Sequence, residues 1–377
     1  MYNFQVKTKI IHGENSLSYL EKLKRKNIWI ICDPFLVDSP NMKKLLDVLD
    51  ATNQVDVFSD VVPDPPIEKV AIGVLEAKKI QAEIMIAFGG GSAIDTAKGI
   101  YHFANMLVRT QIKKFIAIPT TSGSGSEVTM ATVITDPSAR IKYPLFSEEL
   151  IPDVAILDAN LVTTVPPTIT ANTGMDVLTH AIEAYVSIKA CDCTDALAEK
   201  SVQLTLTHLL DCFYDGTNTK ARTKMHRAST MAGMAFNITN LGINHSIAHQ
   251  LGAQFHIPHG LANAMLLVPV IQFNAMNSER AKAKYANLAR ISAVASHTDS
   301  DELAIDLLCE KIDSLMVNMK MSKTLLDVGI TRDQISPVLN NMIENAMKDS
   351  CFSTTPVKPT IQDIKGIIEK LQKAILL

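Results

Sequence analysis

The chain has 377 residues, more than one typical hydrophobic core accommodates, so its length favours two domains. Its 36 basic and 39 acidic residues are interspersed and give a net charge of −3, which predicts no surface for nucleic acid or an anionic membrane. The six cysteines are scattered, and neither a membrane-spanning apolar run nor a signal-peptide pattern is visible, so we expect a cytoplasmic protein.

Short β-branched runs alternate with amphipathic segments in the first part of the chain. Residues 27–33, 54–58, 84–88, 115–118 and 154–157 are typical of buried parallel strands, and residues 1–10 also alternate like a strand. Residues 41–50, 67–80 and 93–103 carry apolar side chains at helical spacing. This alternation predicts a parallel sheet with helices on both faces.

The strand at residues 84–88 runs into a glycine-rich turn, Gly89-Gly-Gly-Ser-Ala-Ile-Asp95, and a helical segment follows. Glycines there let the backbone approach a pyrophosphate at the helix N-terminus, although a Gly-rich turn can also be only a tight connection. A second loop, Pro119-Thr-Thr-Ser-Gly-Ser-Gly-Ser-Glu127, follows the next strand and is dense in hydroxyls. Two such loops at neighbouring strand ends predict a nucleotide-binding crevice.

Asp33 ends the strand that begins at residue 27 and precedes the glycine loop. The usual dinucleotide fingerprint places its acidic residue about twenty residues after the glycines, so the order here differs. A carboxylate at this strand end could accept hydrogen bonds from an adenosine ribose and would repel a 2′-phosphate, which predicts NAD in preference to NADP. The alternative is an aspartate that only forms the turn before Pro34.

The pattern changes at Val165-Pro166-Pro167. Beyond it strand-like runs are almost absent, and residues 196–210, 279–295 and 302–317 predict long helices. We therefore expect a nucleotide-binding α/β domain at residues 1–165 and an all-helical domain at residues 166–377. Thr170 or Asn172 is the expected N-cap of the first helix beyond the boundary.

Four of the ten histidines fall within residues 245–259, and an Asp-x-x-x-His pair precedes them. Asp176 and His180 are four residues apart, and so are His245 and His249, so each pair lies on one face of a helix. Pro258 predicts a helix break that brings a further imidazole back to the same site. A single pair would more often be a hydrogen-bonded couple, but the repeated spacing favours an Fe²⁺ or Zn²⁺ site. Spacing does not choose among the four histidines, of which at least one should orient a ligand or relay a proton. The candidates are Asp176, His180, His245, His249, His256 and His259.

Four motifs stand in one order along nearly the whole chain. They are Gly89-Gly-Gly-Ser-x-x-Asp95, Pro119-Thr-Thr-x-Gly-x-Gly-Ser-Glu127, Gly174-Met-Asp-x-x-x-His180, and His245-x-x-x-His249 followed by Pro258-His259-Gly260. In this order they resemble the iron-dependent, group III alcohol dehydrogenases. The resemblance implies a dehydroquinate synthase-like fold, in which a Rossmann-like, mostly parallel α/β domain precedes an all-α domain.

Three further segments resemble the propanol dehydrogenases of propanediol-degrading bacterial microcompartments within that family. They are Trp29-Ile-Ile-Cys-Asp-x-Phe-Leu36, Ile141-Lys-Tyr-Pro-Leu-Phe146 and Ala248-His-Gln-Leu-Gly252. This finer resemblance implies a homodimer or higher homo-oligomer, and a place within a microcompartment beside an aldehyde-producing enzyme.

Carried over residue by residue, the family pattern implies a metal site, a cofactor site and part of a substrate pocket. The implied metal ligands are Asp176, His180, His245 and His259, with His249 between metal and nicotinamide as the candidate proton relay. Implied contacts with NAD(H) come from Asp33, Gly90, Gly91, Ser92, Asp95, Thr120, Thr121, Ser124 and Lys142. Phe236 and Cys351 match positions near the substrate pocket. Val357 stands where many relatives have arginine, so the pocket shape is not carried over from residues 349–357.

These features predict a metal- and NAD-dependent dehydrogenase for a short-chain primary alcohol, with propanal and NADH giving 1-propanol and NAD. Ethanol, butanol and lactaldehyde enzymes share the motifs and remain alternatives. A carbon–oxygen lyase of the dehydroquinate synthase type would need basic side chains to hold phosphate and carboxylate, and none lies between His245 and Asn274. A catalytically inactive binding protein is disfavoured further, because every expected ligand position is filled.

Overall fold

The computed structural model describes residues 4–63, 65–108, 110, 112–136 and 141–372. Its strands are β1 (Lys9–His12), β2 (Asn27–Cys32), β3 (Gln54–Phe58), β4 (Ile84–Gly89), β5 (Lys114–Pro119), β6 (Ala131–Asp136), β7 (Ile141–Phe146) and β8 (Val154–Leu157). The helices among them are α1 (Pro40–Asp47), α2 (Ile67–Ile80) and α3 (Gly91–Phe103). The predicted central strands and the helices of this part are therefore confirmed, with ends that differ by a few residues. The strand predicted at residues 1–10 is wrong, because residues 4–8 lie in no strand and β1 runs from Lys9 to His12; residues 1–3 are outside the described residues.

A parallel sheet organises this part, with the strand order β1-β8-β5-β4-β2-β3 among the described residues. Alternate residues of β4 enter opposite hydrophobic clusters: Met85 joins the cluster that includes α2 and α3, and Ile86 joins the one that includes α1. Burial on both faces explains why the strands read as continuous apolar runs. The predicted parallel sheet with helices on both faces is confirmed.

Strands β6 and β7 form an antiparallel pair that the sequence pattern did not predict. Val133 pairs with Pro144 and Thr135 with Lys142. Only one face of β6 is well buried, at Thr132 and Ile134, so its apolar pattern is weaker than that of the central strands.

The remaining elements are helical. They are α4 (Pro167–Val186), α5 (Asp192–Tyr214), α6 (Thr219–Thr239), α7 (Ile243–Phe255), α8 (His259–Asn277), α9 (Glu279–Ile291), α10 (Asp301–Asn318), α11 (Arg332–Ile335), α12 (Leu339–Lys348) and α13 (Ile361–Lys370). The predicted N-cap of α4 is wrong, because the helix already begins at Pro167 and both Thr170 and Asn172 lie inside it. Proline favours the first helical position, since its φ is fixed and it has no N–H to satisfy.

The described structure divides into two compact units. One contains the residues up to Val165 together with Thr217–Gly233, and the other contains Pro166–Gly216 and the residues from Met234 onward. The domain boundary predicted at Pro166-Pro167 places residues 217–233 in the helical domain instead. In the first unit Thr230 donates a hydrogen bond of 2.7 Å to Glu127, and Gly233 packs against the backbone of Gly125. Among the described helices, none is both long and apolar enough to cross a membrane.

Candidate metal centre and nucleotide-binding loops

Helix α4 carries three ionisable side chains on one face. Asp176, His180 and Glu183 stand at positions i, i+4 and i+7, so the helical repeat aligns them. They are 7%, 5% and 5% exposed. Two carboxylates on a buried face need cationic or hydrogen-bonding partners, because an isolated buried charge is strongly unfavourable. Glu183 was not predicted, although its spacing from His180 is a signal that the sequence contains.

Helices α7 and α8 supply the partners. His245 lies in the first turn of α7, His259 is the first residue of α8, and Asn263 follows it by one helical turn. Gly260 lets α8 approach α4 closely, since a Cβ at this position would lie 2.1 Å from the backbone oxygen of Asn172. Asn263, which stands four residues after His259, was not predicted from the sequence.

The connection between α7 and α8 explains His256. This residue ends α7 in the left-handed region, with φ 56°, and its N–H donates to the Gly252 oxygen at 2.9 Å. Its side chain is exposed. Pro258 is the N-cap of α8, so the predicted helix break is confirmed. His256 terminates a helix and does not join the buried cluster.

The side chains of Asp176, His180, His245 and His259 converge, with their ligand atoms within 4.8 Å of one another. Asp176 Oδ1 lies 3.9 Å from His180 Nε2, 3.7 Å from His245 Nε2 and 3.5 Å from His259 Nε2. Metal bonds of about 2.1 Å in a tetrahedral site place ligand atoms about 3.4 Å apart. The four side chains therefore fit one divalent cation after small adjustments.

Asn263 provides a second test of this fit. Its Nδ2 lies 2.8 Å from Asp176 Oδ1, 3.0 Å from His245 Nε2 and 3.1 Å from His259 Nε2. An amide nitrogen has two hydrogens, so it cannot donate a full hydrogen bond to three acceptors at once. Three ligand-type atoms thus converge on one electropositive group, as they would on a cation. One carboxylate with three imidazoles is a donor set that suits Fe²⁺ or Zn²⁺.

Glu183 sets the orientation of His245. Its Oε2 accepts a hydrogen bond of 2.6 Å from His245 Nδ1, which leaves Nε2 facing Asp176. Burial alone would lower the pKa of His245, but the carboxylates of Asp176 and Glu183 outweigh it and raise the pKa. Burial favours the protonated carboxyl of Asp176, yet His180 and His259 hold its pKa below the usual range. The site therefore presents a carboxylate charge to a cation.

A second group lies beside this cluster. The ring of His249 stacks on that of His259 with centroids 5.5 Å apart, and its Nδ1 is 2.8 Å from Asp349 Oδ2. The thiol of Cys351 lies within 4.8 Å of both His249 and Asp349, and burial holds its pKa well above the usual range. Phe236 contacts His180, with ring centroids 4.6 Å apart. Asp349 was not predicted, because it is 100 residues from His249 and shares no spacing with it.

The predicted nucleotide loops meet at the carboxyl ends of β2, β4 and β5, which are neighbours in the sheet. Gly90 N–H donates to Asp33 Oδ2 at 3.4 Å, and a Cβ at Gly89 would lie 2.5 Å from the same oxygen. The Asp33 carboxylate therefore contacts the glycine loop, and burial raises its pKa. Gly90 is the N-cap of α3 and carries no side chain to cap the first N–H groups, an arrangement that suits an anion at this helix end.

The second loop packs against the first. Thr120 N–H donates to Gly89 O at 2.9 Å, and Ser126 Oγ donates to Asp95 Oδ1 at 2.5 Å. A Cβ at Gly90 would lie 3.4 Å from Thr121 Oγ1, and one at Gly91 would lie 3.1 Å from Ser124 Oγ. Ser92 is in the first turn of α3. Lys142 lies in β7, and its side chain is outside the described residues. The other predicted cofactor residues are thus gathered at one edge of the sheet.

Two family profiles match the chain. The profile described as iron-containing alcohol dehydrogenase matches residues 7–159, and the profile described as Fe-containing alcohol dehydrogenase family, C-terminal, matches residues 170–372. The chain is 46% identical over 371 residues to 1-propanol dehydrogenase PduQ of Citrobacter freundii, covering 98% of this chain and all of that protein. It is 37% identical over 390 residues to the NADPH-dependent butanol dehydrogenase of Clostridium saccharobutylicum, covering 98% and 97%.

Solved structures show the same similarity. A crystal structure of 1,3-propanediol oxidoreductase is 31% identical with a TM-score of 0.90, covering 98% of this chain and all of that one. The sulfoacetaldehyde reductase of Bifidobacterium kashiwanohense, solved in complex with NAD⁺, is 27% identical with a TM-score of 0.87, covering 99% of each chain.

Proposed function

Because the chain belongs to the iron-containing alcohol dehydrogenase family, we propose that it interconverts propanal and 1-propanol with NAD(H) and a divalent metal ion. The 46% identity to the 1-propanol dehydrogenase of Citrobacter freundii, over its full length, supports this substrate pair. The observation that carries the proposal is the convergence of Asp176, His180, His245 and His259, of which the first three are buried.

These four residues would hold the metal ion, Fe²⁺ with Zn²⁺ as the alternative. When bound, the ion supplies a Lewis acid that polarises the oxygen of the substrate. Asp176 contributes negative charge, and Glu183 fixes the ring of His245 through Nδ1. For these residues to hold the ion, the amide of Asn263, which lies 2.8 Å from Asp176 Oδ1, would have to leave the ligand atoms.

His249 is the candidate catalytic residue. Reduction of an aldehyde adds a hydride to the carbonyl carbon and a proton to its oxygen, and NADH supplies only the hydride. The side chain of His249 is 33% exposed, so a proton held at Nε2 exchanges with solvent. Phe236 contacts the ring of His180, and the neutral thiol of Cys351 lies beside His249; both side chains suit a small apolar substrate.

The cofactor loops favour NAD(H). Asp33 places a carboxylate against the glycine loop, where it would accept hydrogen bonds from a ribose and repel a 2′-phosphate. The butanol dehydrogenase of Clostridium saccharobutylicum is described as NADPH-dependent, so both cofactors belong in the test.

The test compares metal-loaded protein on acetaldehyde, propanal and butanal with NADH and with NADPH. We expect the highest kcat/KM with propanal and NADH. His249→Ala should retain its metal while kcat falls by at least about 100-fold. Failure to reduce any short aldehyde, with turnover of a phosphorylated keto acid instead, would favour the lyase. Loss of metal in His249→Ala would show that the ligand set is wrong.

The assembly and location are proposed on the resemblance to microcompartment propanol dehydrogenases. We expect a homodimer or higher homo-oligomer in the cytoplasm, located in a microcompartment where an aldehyde-producing enzyme supplies its substrate. Analytical ultracentrifugation measures the assembly, and fractionation of the producing cells with antibody detection measures the location. A monomer, or a protein absent from the microcompartment fraction, contradicts the respective proposal.

A further inference from the structure

Asp349 uses both carboxylate oxygens for different tasks. Oδ2 faces Nδ1 of His249 at 2.8 Å, and Oδ1 accepts the Cys351 N–H at 2.8 Å. The second bond caps the short 3-10 helix Ser350–Thr354, for which Asp349 is the N-cap. The side chain is 15% exposed, so water competes little for either oxygen.

The segment that carries Asp349 is anchored next to the start of α7, the helix that carries His249. Asn240 Nδ2 donates to Ser350 O at 3.0 Å, and Thr354 Oγ1 donates to Leu241 O at 2.6 Å. Both acceptor–donor pairs join the residues just before α7 to the two ends of the 3-10 helix. Hydrogen bonds therefore tie the segment that carries Asp349 to the residues that lead directly into α7, the helix of His249.

We infer that Asp349 is a positioning residue that holds His249 in the tautomer with hydrogen on Nδ1 and the lone pair on Nε2. A carboxylate has no hydrogen to donate, so the contact with Nδ1 requires an N–H there. In neutral imidazole Nε2 then carries the lone pair, so Nε2 is the nitrogen that takes up and passes on the relayed proton. This inference rests on the proposed role of His249 as the relay.

Asp349→Asn separates this role from simple packing, because the side chains are nearly the same size. If the amide keeps its oxygen on Cys351 N–H, its NH₂ faces His249 and forces hydrogen onto Nε2. If the amide turns over, its NH₂ opposes the Cys351 N–H and the cap is lost. The same substitution beside the histidine of a serine protease triad lowers kcat about 10⁴-fold through the wrong tautomer.

The experiment measures two properties of the full-length protein. ¹⁵N NMR of histidine-labelled, zinc-loaded protein reports which nitrogen of His249 carries hydrogen, because Zn²⁺ is diamagnetic. We expect hydrogen on Nδ1 in the natural protein and on Nε2 in Asp349→Asn. In kinetics, kcat of Asp349→Asn should fall by at least about 100-fold, while metal content and the KM for NADH change less than about twofold.

Double substitution tests whether Asp349 acts through His249. Asp349→Asn combined with His249→Ala should be no slower than His249→Ala alone. Asp211→Asn is the control, because Asp211 stands 3.6 Å from His208 Nδ1 at an exposed site, and it should leave kcat and the His249 signals unchanged. If Asp349→Asn does not fold, Asp349→Ser retains a capping hydroxyl and still removes the carboxylate from His249.

The outcomes separate this inference from the proposed function. An unchanged tautomer in Asp349→Asn, or multiplicative losses in the double variant, overturns the positioning role. A natural kcat in His249→Ala overturns the relay instead, and the NMR signals of Asp349→Asn still decide whether Asp349 sets the tautomer.

Discussion

Glu183→Gln tests whether the residue behind the ligands controls the metal site. In the structure Oε1 accepts Asn244 N–H at 2.7 Å and Oε2 accepts His245 Nδ1–H at 2.6 Å. The backbone is close on this side, since a Cβ at Gly242 would lie 2.7 Å from Oε1. Glutamine has one oxygen for these two donors, so either the start of α7 or the ring of His245 loses its acceptor.

The size of the effect follows from these contacts. A buried donor that loses a charged acceptor costs about 2 kcal/mol of unfolding free energy. Loss of a carboxylate that orients a metal-binding histidine lowers metal affinity about 10- to 100-fold, or about 1.4 to 2.8 kcal/mol. We therefore expect Glu183→Gln to fold, to unfold at lower denaturant concentration without metal, and to bind Fe²⁺ or Zn²⁺ more weakly.

Chelator competition measures the metal dissociation constant, and denaturant titration of metal-free protein measures the stability. Glu199→Gln is the matched control, because Glu199 accepts a hydrogen bond of 2.7 Å from Tyr185 outside the metal cluster. Its metal affinity should stay within about twofold of the natural value. Equal metal affinities of Glu183→Gln and Glu199→Gln would show that Glu183 does not control metal binding through His245.

Three further changes have defined outcomes. Gly260→Ala places a Cβ 2.1 Å from Asn172 O, so α8 must move by about 1 Å. Steady-state kinetics should show kcat/KM about 100-fold lower, and an unchanged value would contradict the close approach of α8 to α4. Lys98 is fully buried and burial lowers its pKa to about 8 from 10.5, so its charge destabilises the fold below pH 8 and this penalty disappears between pH 8 and 10.5. The unfolding free energy of the natural protein should therefore rise relative to that of Lys98→Met by up to about 3 kcal/mol over that range. Denaturant titrations measure both proteins, and parallel pH profiles would contradict a lowered pKa of Lys98. Asp33→Ala should raise kcat/KM with NADPH relative to NADH by at least about tenfold, and an unchanged ratio means that Asp33 only forms a turn.

Local patterns in the sequence carried much of the information about this fold. Strands such as β3 and β8 were predicted with the ends that the structure has, because burial on both faces leaves a continuous apolar run. The spacing from Asp176 to His180 placed both on one face of α4, since side chains four residues apart on a helix align. The same rule applied one step further would have found Glu183.

Features that depend on packing between distant segments were not predictable in the same way. The position of residues 217–233 in the first unit depends on contacts with segments far along the chain, such as that of Thr230 with Glu127. The β6–β7 pair joins neighbouring segments, and it was not predicted because only one face of β6 is well buried. The start of α4 at Pro167 was also not predicted, because Thr170 and Asn172, which are residue types that cap helices, follow it closely.

The sequence by itself determined which residues could bind a metal and a nucleotide, because spacing along a helix or after a strand depends only on local backbone geometry. Only the tertiary structure decided how α4, α7 and α8 join their faces, and that Asn263 stands among the ligand atoms. It also paired His249 with Asp349. Such contacts depend on how separate helices pack, and no period in the chain encodes which distant side chains will meet.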